Sequence, residues 1–166
     1  MITEKQVAAL LDEFLDGTDL FTVEITVRPA SHITVYIDGD KGVALEDCHR
    51  VNRFLEQRLN RDMEDFDLTV SSAGLDRPLK VLRQYKKLIR QEIEVVTVTG
   101  KKIAGVLEKA EKEGIVISQE VVISKKEKEM KSWSFSFGEL KSVKEVITFK
   151  KQYSQKKQKR NKQWNS

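Results

Sequence analysis

Apolar residues recur at Val7, Leu10, Leu11, Phe14 and Leu15, the spacing of one face of a helix. Thr3 stands where an N-cap belongs, Gln6 three residues later completes a capping-box pattern, and Gly17 supplies the stop. The period then changes to two. Phe21, Val23, Ile25 and Val27 alternate with polar residues, and after the turn Pro29-Ala30-Ser31 so do Ile33, Val35 and Ile37, which predicts a hairpin of half-buried strands. Asp38-Gly39-Asp40-Lys41-Gly42 reads as the next turn. A long helix is expected over residues 45–61, with Glu46 and Asp47 in the first turn, where the helix dipole favours negative charge. Cys48, Val51, Leu55 and Leu59 share its apolar face; Arg50, Arg53 and Arg58 lie on others. A third strand is expected over 66–70. The order helix, strand, strand, helix, strand predicts two helices packed on one face of a three-stranded sheet, the third strand returning beside an earlier one through the helical crossover.

Beyond a short helix or linker at residues 82–89 the pattern turns β-rich. Strands are expected over 93–98, 103–107, 115–118, 133–137 and 143–149, with turns at Gly100, Gly114 and Gly138. Five short strands within about 60 residues point to a small closed barrel. The charged run 124–131 reads as a long solvated hairpin loop. Trp133, Phe135 and Phe137 alternate in one strand and read as core rather than as an RNA platform. The tail, rich in Lys and Gln, is expected to be disordered when free. The predicted class is α+β: an α/β domain (1–82), a linker or short helix (83–91), a small barrel (92–149) and a basic tail (150–166).

The segment Leu68-Thr-Val-Ser-Ser-Ala-Gly-Leu-Asp-Arg-Pro-Leu79 reads as a strand running into a structured turn. Gly74 is free to take φ > 0, and Pro78 pushes Arg77 out of helical geometry. This segment resembles the signature of the RimP family, bacterial ribosome maturation factors. That family usually has an acidic residue in place of Thr69 and a proline in place of Ala73; Ala73 is expected to loosen the turn. Upstream, Tyr36-Ile-Asp-Gly-Asp-Lys-Gly-Val-Ala-Leu-Glu-Asp-Cys-His-Arg-Val-Asn-Arg-Phe-Leu55 is similar to the family's strand, glycine turn and helix. The two motifs stand in the family's order and spacing. The resemblance covers about residues 1–150 and leaves the tail outside it. It implies that the second domain is an SH3-like or Sm-like barrel. It also implies a role in assembly of the small (30S) ribosomal subunit, through transient binding of a ribosomal protein, 16S rRNA or both.

Charge sharpens this picture. The chain has 166 residues and a net charge of +4, but residues 1–88 carry −4, residues 89–149 carry +1 and residues 150–166 carry +7. A basic tail is a handle for phosphate backbones, and an acidic first half suits a basic protein. Lys156, Lys157, Lys159, Arg160 and Lys162, with Trp164 and Tyr153 nearby, combine charge with stacking faces, which suits irregular or single-stranded RNA. Such tails also serve solubility alone. The single cysteine, Cys48, has no internal disulfide partner, which fits a reducing cytoplasm. The start lacks an apolar signal region, and no run approaches the about 20 apolar residues of a membrane span. A cytoplasmic monomer without membrane attachment is expected.

The residues give little support to catalysis. Of the two histidines, His32 falls in a predicted turn, and His49 diverges from Cys48 by about 100° around their helix, so a Cys-His dyad is not expected. Counting a calcium loop from Asp38 puts His49 where the pattern needs Glu, so no metal is expected there. Met63-Glu-Asp-Phe-Asp67 reads as a solvated acidic loop. No cofactor motif is found. Ser71, Ser72 and Asp76 read as groups that bond nearby backbone amides. Arg77 is placed to grip phosphate or carboxylate, or to brace two domains. The candidate partner-binding or interdomain set is therefore Ser71, Ser72, Gly74, Leu75, Asp76, Arg77 and Pro78. Two alternatives stand beside the assembly factor. One is a general Sm-like RNA-binding protein with the tail as main contact. The other, weaker one is a hydrolase using Ser71 or Ser72.

Overall fold

The computed structural model describes residues 1–74 and 77–146. The elements are α1 (Glu4–Leu15), β1 (Leu20–Arg28), β2 (His32–Gly39), α2 (Leu45–Arg58), β3 (Asp67–Ser72) and α3 (Leu82–Lys87). They are followed by β4 (Glu92–Thr97), β5 (Lys102–Ala110), β6 (Gly114–Val122), β7 (Lys128–Ser136), a 3-10 turn (Phe137–Glu139) and β8 (Leu140–Glu145). The class is α+β. The chain divides into two compact units, residues 1–87 and 88–166.

In the first unit the sheet order is β1-β2-β3. β1 and β2 pair antiparallel, and β3 returns parallel to β2, the pairing a helical crossover dictates. Val7, Leu11 and Leu15 of α1, Cys48, Val51 and Leu55 of α2, and Ile33, Val35 and Ile37 of β2 form one buried cluster, so both helices cover the same face of the sheet. α1 begins as expected, with Thr3 Oγ1 accepting from the Gln6 amide at 3.1 Å. α2 stops at Arg58, three residues short of expectation. Leu59 takes an extended conformation that keeps its side chain in the core, and Arg61 bonds the carboxylates of Glu56 and Asp65 and the Phe66 carbonyl, folding the loop back.

β1 departs from simple alternation. The register slips between Thr22 and Glu24, a β-bulge that reverses which face the side chains meet. Leu20 joins the core before the bulge, and Ile25 and Val27 pack on it after. Phe21 instead lies beneath the guanidinium of Arg83, on the opposite face from the helices. The bulge thus places Phe21 on the outer face, where the uninterrupted period would have kept it with Ile25. The β1–β2 turn is strained: Ala30 and Ser31 have φ of 66° and 54°. Ser31 is held there by its hydroxyl bond to Glu64 Oε1 (2.8 Å) and by the Asp67 amide on its carbonyl (3.1 Å).

The second unit is one antiparallel sheet of order β7-β6-β5-β4-β8. Ile93, Val95, Ile103, Leu107, Ile115, Ile117, Phe135 and Val143 are buried in it. Among the described residues no ladder joins the edge strands β7 and β8. The sheet nonetheless curls, bringing Lys101 of the β4–β5 turn against Trp133 of β7. Half of the charged run expected to be a loop is strand: β6 and β7 pair out to Val122 and Lys128, leaving only 123–127 as the turn. β5 accompanies β6 only as far as Ser118, so the end of this hairpin is a two-stranded arm. With no buried face, its sequence had no reason to alternate.

Candidate functional site

The signature segment occupies the end of β3 and the chain after it. Tyr36 pairs with Ser71 and Ile37 with Ser72 in the parallel ladder. The Ala73 amide extends that ladder by donating to the Ile37 carbonyl at 2.8 Å, and Ala73 is buried. A proline here could not donate, so Ala73 adds a bond to the turn's entrance rather than only loosening it. Gly74 follows with φ of 74°, the left-handed conformation expected of it. Ser71 Oγ donates to the Ser72 carbonyl at 3.3 Å, a local bond to a carbonyl rather than to an amide. Among the described residues neither serine bonds a histidine or a carboxylate. Leu75 and Asp76 lie outside the described residues.

From Arg77 onward the chain runs along the sheet face opposite the helices, held by four cations on three carboxylates. Arg77 Nη2 donates to Glu24 Oε2 at 2.9 Å, and its guanidinium stacks 3.9 Å from the centre of the Tyr36 ring. Lys80 Nζ takes the other oxygen of Glu24 at 2.7 Å. Arg83 reaches Asp40 through Nε and Nη2, at 2.9 and 2.8 Å, while covering Phe21. Lys87 Nζ bonds Asp38 Oδ1 at 2.8 Å and the Gly39 carbonyl at 3.0 Å. Pro78 is exposed between these anchors.

Local chemistry explains why the segment can lie there. Glu24 and Tyr36 are cross-strand partners on β1 and β2, and the bulge at Val23 sets the phase that turns Glu24 to this face. Gln84, a buried polar residue, caps the start of α3 by accepting from the Lys80 and Val81 amides at 2.7 and 3.1 Å. At the far end, Gly39 turns beneath Asp38 so tightly that a Cβ there would collide with the Gly42 carbonyl oxygen.

Electrostatics follow the contacts. The Lys80 hydrogen bond, aided by the charges of Lys80 and Arg77, holds the Glu24 carboxyl below its usual range against partial burial. The Arg83 hydrogen bond does the same for Asp40 and raises Arg83 in turn. The two pairs on Glu24 are partly solvated and each is worth only a few tenths to about 1 kcal/mol. Their effect is cumulative, and the lysine at the end is the best shielded: the Lys87 and Asp38 side chains are 23% and 17% exposed.

Arg77 is therefore the one charged member of the sequence-derived set that the described structure engages. Its partners Lys80, Arg83 and Lys87, and the carboxylates Glu24, Asp38 and Asp40, were missed. Cations at 77, 80, 83 and 87 were a readable signal; acidic residues on the outer phase of a bulged hairpin were not. Lys156, Lys157, Lys159, Arg160, Lys162 and Trp164 lie outside the described residues. Among the described residues no group of three or more His, Cys, Asp or Glu could hold a metal, and no helix is long and apolar enough to cross a membrane. Cys48 is buried, and that burial, with the Asp47 charge beside it, pushes its thiol above the usual range.

Residues 7–76 match the model of the RimP N-terminal domain. The chain is 35% identical over 105 residues to the ribosome maturation factor RimP of Porphyromonas gingivalis, a match spanning 63% of this chain and 69% of that one. The chain belongs to the RimP family. The RimP of Christiangramia forsetii is 40% identical over 97 residues, covering 58% of this chain and 63% of its own. That of Flavobacterium psychrophilum is 37% identical over 100 residues, covering 60% and 65%. The RimP N-terminal match runs from α1 to the signature turn, so its last residues meet the start of the clamped segment. These relatives are named for a maturation role and not for a reaction.

Proposed function

We propose that this chain is a non-catalytic ribosome maturation factor that binds an immature small (30S) subunit transiently, through a small-subunit protein, 16S rRNA or both. The observation that carries the proposal is kinship with ribosome maturation factors along 69% of a relative's length. The charge layout supports it. Among the described residues Glu4, Asp12 and Asp16, on and just after α1, have no basic partner within ion-pair distance, whereas Glu24, Asp38 and Asp40 are occupied by the chain's own cations. A basic ribosomal protein would be steered to the free carboxylates of α1. The signature segment, from Ser71 and Ser72 through Gly74, Leu75 and Asp76 to Arg77 and Pro78, would be the partner-contacting element, kept in place by the clamp behind it. The second unit would act as an SH3-like or Sm-like barrel, and the factor would work as a cytoplasmic monomer.

The +7 charge of residues 150–166 favours a second reading, a general Sm-like RNA binder whose tail is the main contact. Sucrose-gradient co-sedimentation with immature small, mature small and large subunits, across a salt series, separates the two. Selective retention on the immature small subunit is the expected result. Equal binding to every RNA-containing particle, collapsing steeply with salt, would put the tail-driven reading first.

A further inference from the structure

Trp133 departs from the core role that its alternation with Phe135 predicts. Phe135 is buried, but Trp133 is only partly so, and it lies on β7, an edge strand of the sheet. Lys131, Trp133 and Phe135 fall on one face of that strand by the period of two. The two rings are parallel within 3°, with centroids 6.1 Å apart. The indole N–H donates to Gln119 Oε1 at 3.3 Å, which fixes the plane of the ring.

Two ammonium groups meet on this indole. Lys131 Nζ is 4.2 Å from the ring centre, and Lys101 Nζ, brought in by the curl of the sheet, is 4.4 Å away. One cation over an exposed aromatic ring is stabilised modestly. A second repels the first. In a chain with 26 acidic residues, neither of these lysines has a carboxylate within 4.0 Å among the described residues. Both lysines are exposed. An oriented aromatic ring flanked by two uncompensated cations lacks an anion, and the combination matches a flat base joined to a phosphate.

We propose that Trp133, Lys101 and Lys131 form a seat for one unpaired nucleotide of RNA, its flanking phosphates drawing the two ammoniums off the ring and its base stacking on the indole in their place. This deepens the ribosomal reading above and rests on it for the identity of the RNA. Stacking is tolerant of sequence because every base has a π-face, so the seat selects single strands over duplexes rather than one base over another.

The test is fluorescence anisotropy of the full chain with a labelled 12-nucleotide oligouridylate, titrated across a salt series, beside a duplex of the same length. Lys101→Gln/Lys131→Gln is expected to weaken single-strand binding at least five-fold and to reduce the logarithmic salt slope by about 1.4, the loss of two phosphate contacts. Trp133→Leu is expected to cost about 5- to 150-fold, and Trp133→Phe less. Unfolding midpoints are measured alongside. If Trp133→Leu proves unstable, the exposed lysine pair decides. Native affinity and slope for the lysine double variant overturn the proposal, as does a duplex bound as tightly as the single strand. Failure here with immature subunits still retained removes the seat and leaves the maturation role. Loss of subunit retention by the native chain removes that role while the oligonucleotide result stands by itself.

Discussion

Replacing Glu24 by Gln keeps the shape of the residue and removes the charge that anchors the signature segment. In the native chain each oxygen of this carboxylate receives one charge-assisted hydrogen bond, from Arg77 at 2.9 Å and Lys80 at 2.7 Å. Glu24 is 24% exposed, but Arg77 and Lys80 are 42% and 46% exposed, so solvent screening discounts both pairs. Each is then worth about 0.5 kcal/mol, and the expected loss is about 1 kcal/mol in total. The stacking of Arg77 on Tyr36 survives the change, which limits the loss. For a unit of this size, 1 kcal/mol corresponds to about 4–8 °C in melting temperature. The measurement must see the first unit alone. Both tryptophans, Trp133 and Trp164, lie in the other half of the chain, so their fluorescence is the wrong probe. Hydrogen exchange read on peptides covering residues 77–87 follows the clamp directly. The variant should exchange faster there, with residues 92–146 unchanged. The same substitution should flatten the acid side of the stability profile. Because the folded Glu24 carboxyl is depressed, its contribution is present above its ordinary value of 4.5 and is lost as pH falls through the lower folded value. Exchange at 77–87 within 0.3 kcal/mol of native, about the error of such comparisons, would refute the clamp as an energetic feature.

Three further outcomes test the fold. Ala30→Gly should stabilise the first unit by about 0.5–1 kcal/mol in urea unfolding, because glycine adopts the left-handed conformation of residue 30 without strain; a destabilised variant would contradict the strained turn. Gly39→Ala should cost about 2 kcal/mol or more, since the new methyl meets the Gly42 carbonyl oxygen and the loop carrying Asp38 and Asp40 must move; near-native stability would show that the loop gives way easily. Tyr85 should ionise late in an alkaline titration followed by ultraviolet absorbance, as burial pushes it up to about 12. A raised folded value means its stabilising contribution is intact below 10 and is lost as pH rises toward 12, so alkaline unfolding should steepen across that window and flatten in Tyr85→Phe.

Residue type and spacing alone determined the periodic parts of this protein. The helix of residues 4–15, the buried stripe Cys48, Val51, Leu55, the inward set Ile33, Val35, Ile37 and the left-handed glycine at 74 all follow from local rules, because each depends on neighbours within one or two turns of chain. The family was legible for the same reason: its motifs are contiguous. Tertiary structure decided what depends on distant partners. The bulge at Val23 moved Phe21 to the outer face and set Glu24 for Arg77, 53 residues away. Residues 82–89 read as a short helix or linker; they begin with a helix, and only the tertiary structure sets Arg83 and Lys87 on Asp40 and Asp38. The arm of β6 and β7 escaped notice because a strand with water on both faces carries no alternation. Trp133 read as core because period places it on the inner face, while only the curl of the sheet decides how far that face is covered and which lysines reach it. Local propensity fixes which elements form; long-range pairing fixes which charges meet.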